Sequence, residues 1–314
     1  MPFGLMFSGQ GAQAVGMGHS LYKSSAIARE LYDHANEVLG FDLKEASFYG
    51  PEETLTETRV CQPALFLQGY ATVEILKHLG KVEQPSCCLG LSLGELTALS
   101  TAGVFDFATG LQLVEARGRL MQEACDETAG GMVVLIGGER ASAFELANEA
   151  DLDVANLNCP GQIVLSGEKA NIPFVLEHAK SKGFKMAKEL NVAGAYHSRL
   201  MQSAAEAYES VLAPIEFKAP VCPVYTNTTG KQISEPEAIK AALVKQITGS
   251  VYYEDCMRNA VNDTQTMQYL ECGPGGILAG LAKRTDRKIE VRSLGEYVDI
   301  TSKTGETRIP LKNA

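Results

Sequence analysis

The strongest chemical signal in the sequence is Gly90-Leu91-Ser92-Leu93-Gly94, in which a serine stands between two glycines. The apolar run from Pro85 to Leu89 precedes it and residues of helical composition follow, so the serine lies where a strand turns into a helix. This arrangement is typical of a nucleophile elbow, whose sharp turn exposes the hydroxyl. The alternative is a plain strand-turn-helix junction. We predict that Ser92 is a nucleophile and that the Leu93 N–H, at the helix start, donates to the reacting oxygen.

A serine hydroxyl needs a base at neutral pH, and the chain has five histidines. His197 lies between a strand-like run and a helix-like run, where side chains point into clefts, and we predict it as the base rather than a structural histidine. His19 ends a glycine-rich loop and stays possible. The remaining three fit structural positions on helices: His34, His78 and His178. No aspartate stands out as a third member, so a backbone carbonyl can orient the imidazole instead.

Arg117 is the basic residue with two open interpretations. It lies on a predicted helix, residues 106–125, that is apolar along one side. The first interpretation is a surface ion pair with Glu115 or Glu123. In the second, the side chain enters the cleft of Ser92, where the guanidinium fork can hold a carboxylate through two hydrogen bonds.

The glycine-rich loop near the N-terminus also has two interpretations. The run Phe3 to Phe7 predicts a strand, and the loop from Ser8 to Ala14 follows it. The loop matches the G-x-G-x-x-A pattern of dinucleotide sites, but that fingerprint needs an acidic residue at the end of a second strand. Glu30 and Asp33 fall inside a predicted helix instead. We therefore favour a loop that supplies a backbone N–H, around Gln10, to the reacting oxygen.

The order of the elements that carry these residues predicts an α/β fold in two parts. Residues 127–196 contain four strand-like and two helix-like runs in the order βαββαβ, which is typical of a ferredoxin-like unit. In residues 1–126 and 197–314, strands alternate with helices, which predicts a mostly parallel sheet covered on both faces. We predict a large α/β-hydrolase-like domain that carries the nucleophile elbow, with an inserted ferredoxin-like subdomain.

Composition excludes several classes of function. Because 38 acidic residues outnumber 28 basic ones, the formal charge is −10, which disfavours nucleic acid as a partner. No apolar run has the length of a membrane span, and Met1-Pro2-Phe3 does not begin a secretion signal. The eight cysteines lack the spacing of a metal site or a disulfide framework. These features predict a cytoplasmic protein without metal or membrane, with a loosely held polar tail after Ile300.

The motifs described above and several others are distributed along nearly the whole chain. The segments are Phe7–Gly11, Gly90–Glu95, Arg117–Gln122, Asn156–Gln162, Gly194–Ser198, Asn227–Gly230, Gln246 and Gly273–Gly275. As an ordered set, they resemble the malonyl-CoA:acyl carrier protein transacylases, the stand-alone acyltransferases of fatty acid and polyketide biosynthesis. The resemblance implies ping-pong transfer of malonyl from malonyl-CoA to the phosphopantetheine thiol of an acyl carrier protein, without a resident cofactor.

The resemblance also implies a role for each site residue. Ser92 would carry the acyl group, and His197 would act as general base and then as general acid. The backbone amides of Leu93 and Gln10 would form the oxyanion hole. The other implied roles are carboxylate binding by Arg117, orientation of His197 by the Gln246 carbonyl, and substrate contacts from Asn158, Gln162 and Tyr196.

Two positions depart from the pattern of many family members. Leu91 stands where those proteins carry histidine, so we expect one polar contact to malonate to be missing and Arg117 to carry more of the recognition. Tyr196 keeps the aromatic bulk that accompanies malonyl use in related polyketide acyltransferases. We therefore expect malonyl to be preferred over methylmalonyl.

Other functions stay open at this stage. One is a serine hydrolase or thioesterase that uses the same Ser92 and His197 but passes the acyl group to water. Another is a non-catalytic docking module for carrier proteins. A patatin-like lipase is disfavoured because the chain has no Asp-Gly pair. Since coenzyme A and carrier proteins are both anionic, we expect a local basic rim at the cleft, with four candidates: Lys188, Arg199, Lys283 and Arg284.

Overall fold

The computed structural model describes residues 3–302, so most of the polar tail predicted to be loosely held lies outside the described residues. The strands within this range are β1 (Gly4–Phe7), β2 (Cys87–Gly90), β3 (Gly130–Ile136), β4 (Asp153–Cys159), β5 (Gln162–Glu168), β6 (Met186–Glu189), β7 (Val224–Tyr225), β8 (Gln232–Ile233), β9 (Gln268–Cys272) and β10 (Glu290–Leu294).

The helices of the described range are α1 (His19–Ser24), α2 (Ala26–Leu39), α3 (Leu43–Tyr49), α4 (Glu52–Thr56), α5 (Thr58–His78), α6 (Leu93–Thr101), α7 (Phe107–Glu127), α8 (Arg140–Glu149), α9 (Ile172–His178), α10 (Gln202–Leu212), α11 (Pro236–Thr248), α12 (Tyr253–Thr264), α13 (Ile277–Thr285) and α14 (Tyr297–Thr301). None of these helices is both long and apolar enough to cross a membrane.

Six strands form the larger sheet, in the order β10-β9-β1-β2-β7-β8. Every neighbouring pair is parallel except β7 and β8, which pair antiparallel at one edge. Along β1, Leu5 and Phe7 face one hydrophobic cluster and Met6 faces another, so helices cover both faces of the sheet. This confirms the predicted α/β fold with a mostly parallel sheet. Because β1 and β2 lie side by side, the loops that follow them meet at one edge.

The helix that faces the site differs from its prediction. The sequence predicts a helix from about Pro63 to Leu79 that stops at Gly80. In the structure α5 begins at Thr58, and Pro63 lies inside it. The additional turn is mostly buried and packs against α7. Asp106 caps the start of α7 by accepting from the Thr109 N–H at 2.8 Å. This added turn carries two residues that contact the site.

The smaller sheet has the order β4-β5-β3-β6, and all of its neighbouring strands are antiparallel. It has a hydrophobic core of its own between the sheet and helices α8 and α9. The sequence pattern predicts a strand from Lys185 to Val192. In the structure the strand is shorter, because β6 lies at the edge of the sheet and pairs with β3 over four residues.

Backbone hydrogen bonds join the smaller sheet to the rest of the chain. Val251, just before α12, donates to the Ala155 carbonyl at 2.8 Å and accepts from the Leu157 N–H at 2.9 Å. Arg140 of α8 adds an ion pair with Asp255 of α12, at 2.9 Å. The edge strand β4 is therefore covered by the segment around Val251, which follows α11. Helix α11 carries Gln246.

Candidate active site

Ser92 lies at the turn between β2 and α6, with the backbone in a rare conformation (φ 54°, ψ −107°). Two glycines make this turn possible. A Cβ on Gly90 would lie 1.9 Å from the Gly94 carbonyl carbon, and a Cβ on Gly94 would lie 2.0 Å from the Phe7 carbonyl oxygen. The strained, glycine-flanked serine matches the geometry that a nucleophile elbow requires.

His197 contacts the serine directly. Its Nε2 is 2.7 Å from Ser92 Oγ, and its Nδ1 is 2.7 Å from the Gln246 main-chain oxygen. A carbonyl only accepts hydrogen bonds, so Nδ1 carries the proton and Nε2 accepts from the serine. Burial and the Arg117 charge lower the pKa of His197 to about 4, against the opposing effect of the Gln246 carbonyl. The imidazole is therefore neutral at pH 7 and able to take a proton.

The other four histidines lie away from this pair. His19 stacks on Phe48 with ring centroids 4.8 Å apart, so this alternative base is not the partner of Ser92. The remaining three occupy helical positions as expected: His34, His78 and His178.

Arg117 is 1% exposed, so the interpretation as a surface ion pair is wrong. Its neighbour Arg119 makes those contacts with Glu115 and Glu123 instead. The Arg117 guanidinium donates to Ser92 Oγ at 3.2 Å, to Gln246 Oε1 at 2.8 Å and to Gln62 Oε1 at 2.7 Å. Its Nε is buried without a hydrogen-bond partner in residues 3–302. Burial lowers the pKa of Arg117, yet a guanidinium stays charged, so the site holds a cation beside Ser92.

Gln246 joins the parts of the site. Its main-chain oxygen holds His197, and its side-chain oxygen accepts from Arg117. Its Nε2 donates to Glu95 Oε2 at 2.6 Å and to the Ser92 carbonyl at 3.1 Å. One residue therefore orients both the base and the cation.

Glu95 and Asn227 support the elbow, a function that the sequence analysis did not assign. Glu95 is buried, which raises the pKa of its carboxyl, and its Oε2 accepts from the Asn227 N–H at 2.9 Å. The Asn227 side chain accepts from the Ser92 N–H at 2.7 Å and donates to the Gly90 carbonyl at 2.8 Å. Their presence in the ordered motifs was the available signal, but the contacts join residues far apart in sequence.

The two proposed oxyanion donors have free N–H groups. Leu93 is the first residue of α6, so its N–H has no partner within the helix. Within residues 3–302, the backbone N–H groups of Gln10 and Leu93 have no protein acceptor. Both lie at the carboxyl edge of adjacent strands, after β1 and β2 respectively.

Tyr196 is 7% exposed and its hydroxyl is hydrogen-bonded. Its Oη lies 2.6 Å from Thr58 Oγ1 and accepts from Gln10 Nε2 at 3.4 Å. Its ring is part of the main hydrophobic core.

Asn158 and Gln162 lie where β4 turns into β5, and Asn158 Nδ2 donates to Gln162 Oε1 at 3.3 Å. Neither has a hydrogen bond to Ser92, His197 or Arg117 within the described part of the chain. Asn158 Oδ1 is buried and has no hydrogen-bond partner within residues 3–302. The neighbouring Cys159 belongs to a hydrophobic cluster against which Leu91, the residue before Ser92, also packs.

The four candidates for the basic rim differ in their surroundings. Arg199 is not free, because it pairs with Asp151 at 2.7 Å. Lys188 is exposed on β6, and Lys283 and Arg284 are exposed in the last turn of α13. Burial raises the pKa of the Cys159 thiol and the Arg284 charge opposes this effect, so Arg284 lies near the turn between β4 and β5.

Comparisons with known proteins identify the family of the chain. The family model described as "Acyl transferase domain" matches residues 5–293. The malonyl CoA-acyl carrier protein transacylase of Bacillus subtilis is 34% identical over 296 residues, covering 93% of this chain and 92% of that protein. The polyketide biosynthesis malonyl CoA-acyl carrier protein transacylase BaeC of Bacillus velezensis is 37% identical over 294 residues, covering 91% of this chain and 97% of that protein.

Solved structures similar to this chain come from the same family. An acyl carrier protein S-malonyltransferase from Vibrio cholerae superposes with a TM-score of 0.91 at 35% identity, covering 96% of this chain and 99% of the other. A malonyl-transacylase solved in complex with its type II PKS acyl-carrier protein gives 0.90 at 36% identity, covering 96% and 98%. The chain therefore belongs to the acyl transferase domain family and, within it, to the malonyl CoA-acyl carrier protein transacylases.

Proposed function

We propose that the protein transfers a malonyl group from malonyl-CoA to the phosphopantetheine thiol of an acyl carrier protein, through an ester on Ser92. One observation carries this proposal: Ser92 Oγ lies 2.7 Å from the imidazole of His197 and 3.2 Å from the guanidinium of Arg117. The first contact makes a nucleophile, and the second offers a site for a free carboxylate on the acyl group. The names of the relatives support the same reaction and the same kind of partner.

In the first half-reaction, His197 Nε2 takes the proton of Ser92 as Oγ attacks the thioester carbonyl carbon. The backbone N–H groups of Gln10 and Leu93 stabilise the resulting oxyanion. The tetrahedral intermediate collapses by breaking its C–S bond, and His197 gives its proton to the departing sulfur of coenzyme A. The product is malonyl-Ser92 with a neutral imidazole.

In the second half-reaction, the carrier thiol gives its proton to His197 and its sulfur attacks the ester carbonyl. The same two N–H groups stabilise the new oxyanion. Collapse then breaks the C–O bond to Ser92, and His197 returns the proton to the serine oxygen. No electrons are gained or lost, and no resident cofactor is required by this scheme.

Arg117 would hold the malonyl carboxylate, with its orientation fixed by Gln246 and Gln62. The guanidinium is buried and its fork geometry fits a carboxylate through two hydrogen bonds, so the malonyl carboxylate would be bound strongly. The buried Tyr196 ring would limit space for an α-methyl branch, which would favour malonyl over methylmalonyl. Asn158 and Gln162 would contact the substrate from the turn between β4 and β5.

Within this proposal, the chain has two structural parts. Residues 1–126 and 197–314 would form an α/β-hydrolase-like domain, which the elbow and the parallel sheet support. Residues 127–196 would form an inserted ferredoxin-like subdomain, which the βαββαβ order and the antiparallel sheet support. The cytoplasmic location stays a prediction.

Intact-mass analysis tests the function. Incubation with malonyl-CoA is expected to add a malonyl group to the protein, and a phosphopantetheinylated carrier protein is expected to remove that group and acquire it. The Ser92→Ala variant should show no adduct, because only the serine oxygen can form the ester. Loss of malonyl-CoA without carrier acylation would identify a hydrolase, and an adduct that persists in the variant would contradict the assignment of Ser92.

A further inference from the structure

The hydroxyl of Tyr196 lies between a helix and the loop that follows β1. On one side, Thr58 Oγ1 in the first turn of α5 is 2.6 Å away. On the other side, Gln10 Nε2 donates to the same oxygen. Tyr196 is nearly buried and Thr58 is fully buried, so water has little access to replace these bonds. A phenylalanine would fill the same space without making either bond.

Gln10 belongs to the loop whose backbone N–H is proposed to stabilise the oxyanion. Ala12 N–H donates to the Gly9 carbonyl, and Gly11 N–H donates to Gln13 Oε1, so those two bonds stay inside the loop. The bond from the Gln10 side chain to Tyr196 links the loop to the Tyr196 hydroxyl and, through it, to Thr58 of α5. An oxyanion donor is effective only when it is held close to the productive geometry.

Thr58 is a rigid anchor for this chain of bonds. A Cβ on Gly118 would lie 2.7 Å from the Thr58 carbonyl oxygen, so α5 and α7 are in close contact there. Gly118 directly follows Arg117. One turn further along α5, Gln62 accepts from Arg117 at 2.7 Å.

We propose that the Tyr196 hydroxyl, held by Thr58, is a positioning group for the oxyanion hole, which acts by fixing the Gln10 side chain and hence the direction of the Gln10 backbone N–H. This inference rests on the proposed function. A malonyl pocket needs only the ring of residue 196, so the positioning role proposed for the hydroxyl is separate from acyl selection. Neither Tyr196 nor Thr58 touches the reacting atoms in this scheme.

Single-turnover acylation, followed as the mass increase of the protein, tests the inference with Tyr196→Phe. At saturating malonyl-CoA, we expect Tyr196→Phe to acylate about tenfold more slowly, a fraction of the loss expected for removal of a whole oxyanion donor. The half-saturating concentration should change little. The same factor is expected with acetyl-CoA, because both acyl groups form the same oxyanion.

The Gln10→Ala variant keeps the backbone N–H but removes the side chain that Tyr196 holds. If the hydroxyl acts through Gln10, Tyr196→Phe causes no further loss in this background. Tyr32→Phe is the matched control, because Tyr32 is buried and its hydroxyl has no partner in residues 3–302. It should acylate at the wild-type rate, and thermal unfolding of every variant should show that the fold is retained.

Three results would overturn the inference: a wild-type rate for Tyr196→Phe, losses that multiply in the double variant, or a changed ratio of malonyl to acetyl rates. The last result would place the hydroxyl in acyl selection instead. If the wild-type protein formed no acyl ester at all, the proposed function itself would fail, which is a separate observation.

Discussion

At the scale of single residues, the buried imidazole of His197, the proposed base, would set the acid limit of the reaction. Burial and the Arg117 charge disfavour its protonated form, and its pKa is lowered from 6.5 to about 4. The base is neutral above this pKa and protonated below it. The folded protein also binds fewer protons than the unfolded chain between these two values, so this group destabilises the fold as pH falls from 6.5 towards about 4.

We therefore expect the rate of acylation by acetyl-CoA to fall as pH drops through about 4, not through 6.5. Arg117→Met removes a cation beside the imidazole, so its acid limb should move to higher pH. The measurement is single-turnover acylation between pH 3.5 and 8, with circular dichroism at each pH to confirm that the protein stays folded. A wild-type midpoint near 6.5 would contradict the burial argument.

Arg117 should discriminate between acyl groups. Only malonyl carries a free carboxylate, and removing one partner of a buried charged pair costs about 2–5 kcal/mol. Arg117→Ala is therefore expected to lower kcat/KM for malonyl-CoA by at least about 30-fold relative to the change for acetyl-CoA. Steady-state transfer with both acyl-CoAs measures this ratio. Equal losses for the two substrates would show that the guanidinium does not bind the carboxylate.

At the scale of elements, the junction of β1, β2 and α6 has no room for a side chain at Gly94. A Cβ there would lie 2.0 Å from the Phe7 carbonyl oxygen, so either the strand or the helix must move. We expect Gly94→Ala to lower the free energy of unfolding by about 3 kcal/mol and to abolish acylation, because the same shift displaces Ser92.

Gly280→Ala is the matched control for this substitution. Gly280 lies inside α13, and a Cβ there has no atom within 4 Å. Because alanine favours the helix over glycine, stability should rise by about 0.5–1 kcal/mol with activity unchanged. Denaturant unfolding measures both variants. A Gly94→Ala protein as stable and active as the wild type would show that the junction tolerates the side chain.

At the scale of the whole molecule, the net charge of −10 opposes the approach of an anionic carrier protein. Lys283 and Arg284 supply local positive charge, and Arg284 lies near the turn between β4 and β5. Arg199 contributes less than the sequence suggested, because Asp151 offsets its charge.

Charge reversal at this rim should weaken use of the carrier before it weakens acylation. We expect Lys283→Glu combined with Arg284→Glu to raise KM for the carrier about tenfold at low salt, with a smaller effect near 0.5 M salt. Lys23→Glu combined with Arg29→Glu changes the net charge equally on α1 and α2 and serves as the control. Equal effects of the two pairs would attribute the result to net charge alone.

Local patterns in the sequence were sufficient to predict part of the fold and part of the candidate site. The glycines around Ser92, the loop after β1 and the strand-helix junction at His197 are signals within a few residues, so Ser92 and His197, which the structure brings into contact, could be chosen from the sequence. The α/β fold and the βαββαβ order were predictable for the same reason, because the pattern of each strand and helix depends on residues that are neighbours in sequence. The short helices α1, α3 and α4 and the first turn of α5 lacked such signals.

Tertiary structure decided what the remaining side chains contact. Arg117 had two open interpretations, because a helix pattern does not say which elements pack on it. Only the packing of α7 against α5 and α10 and the contact with Gln246 of α11 bury it beside Ser92. Glu95, Asn227 and Thr58 received no role from the sequence, since each acts through a partner more than 100 positions away. Such contacts exist only once the strands have brought their carboxyl ends to one edge of the sheet.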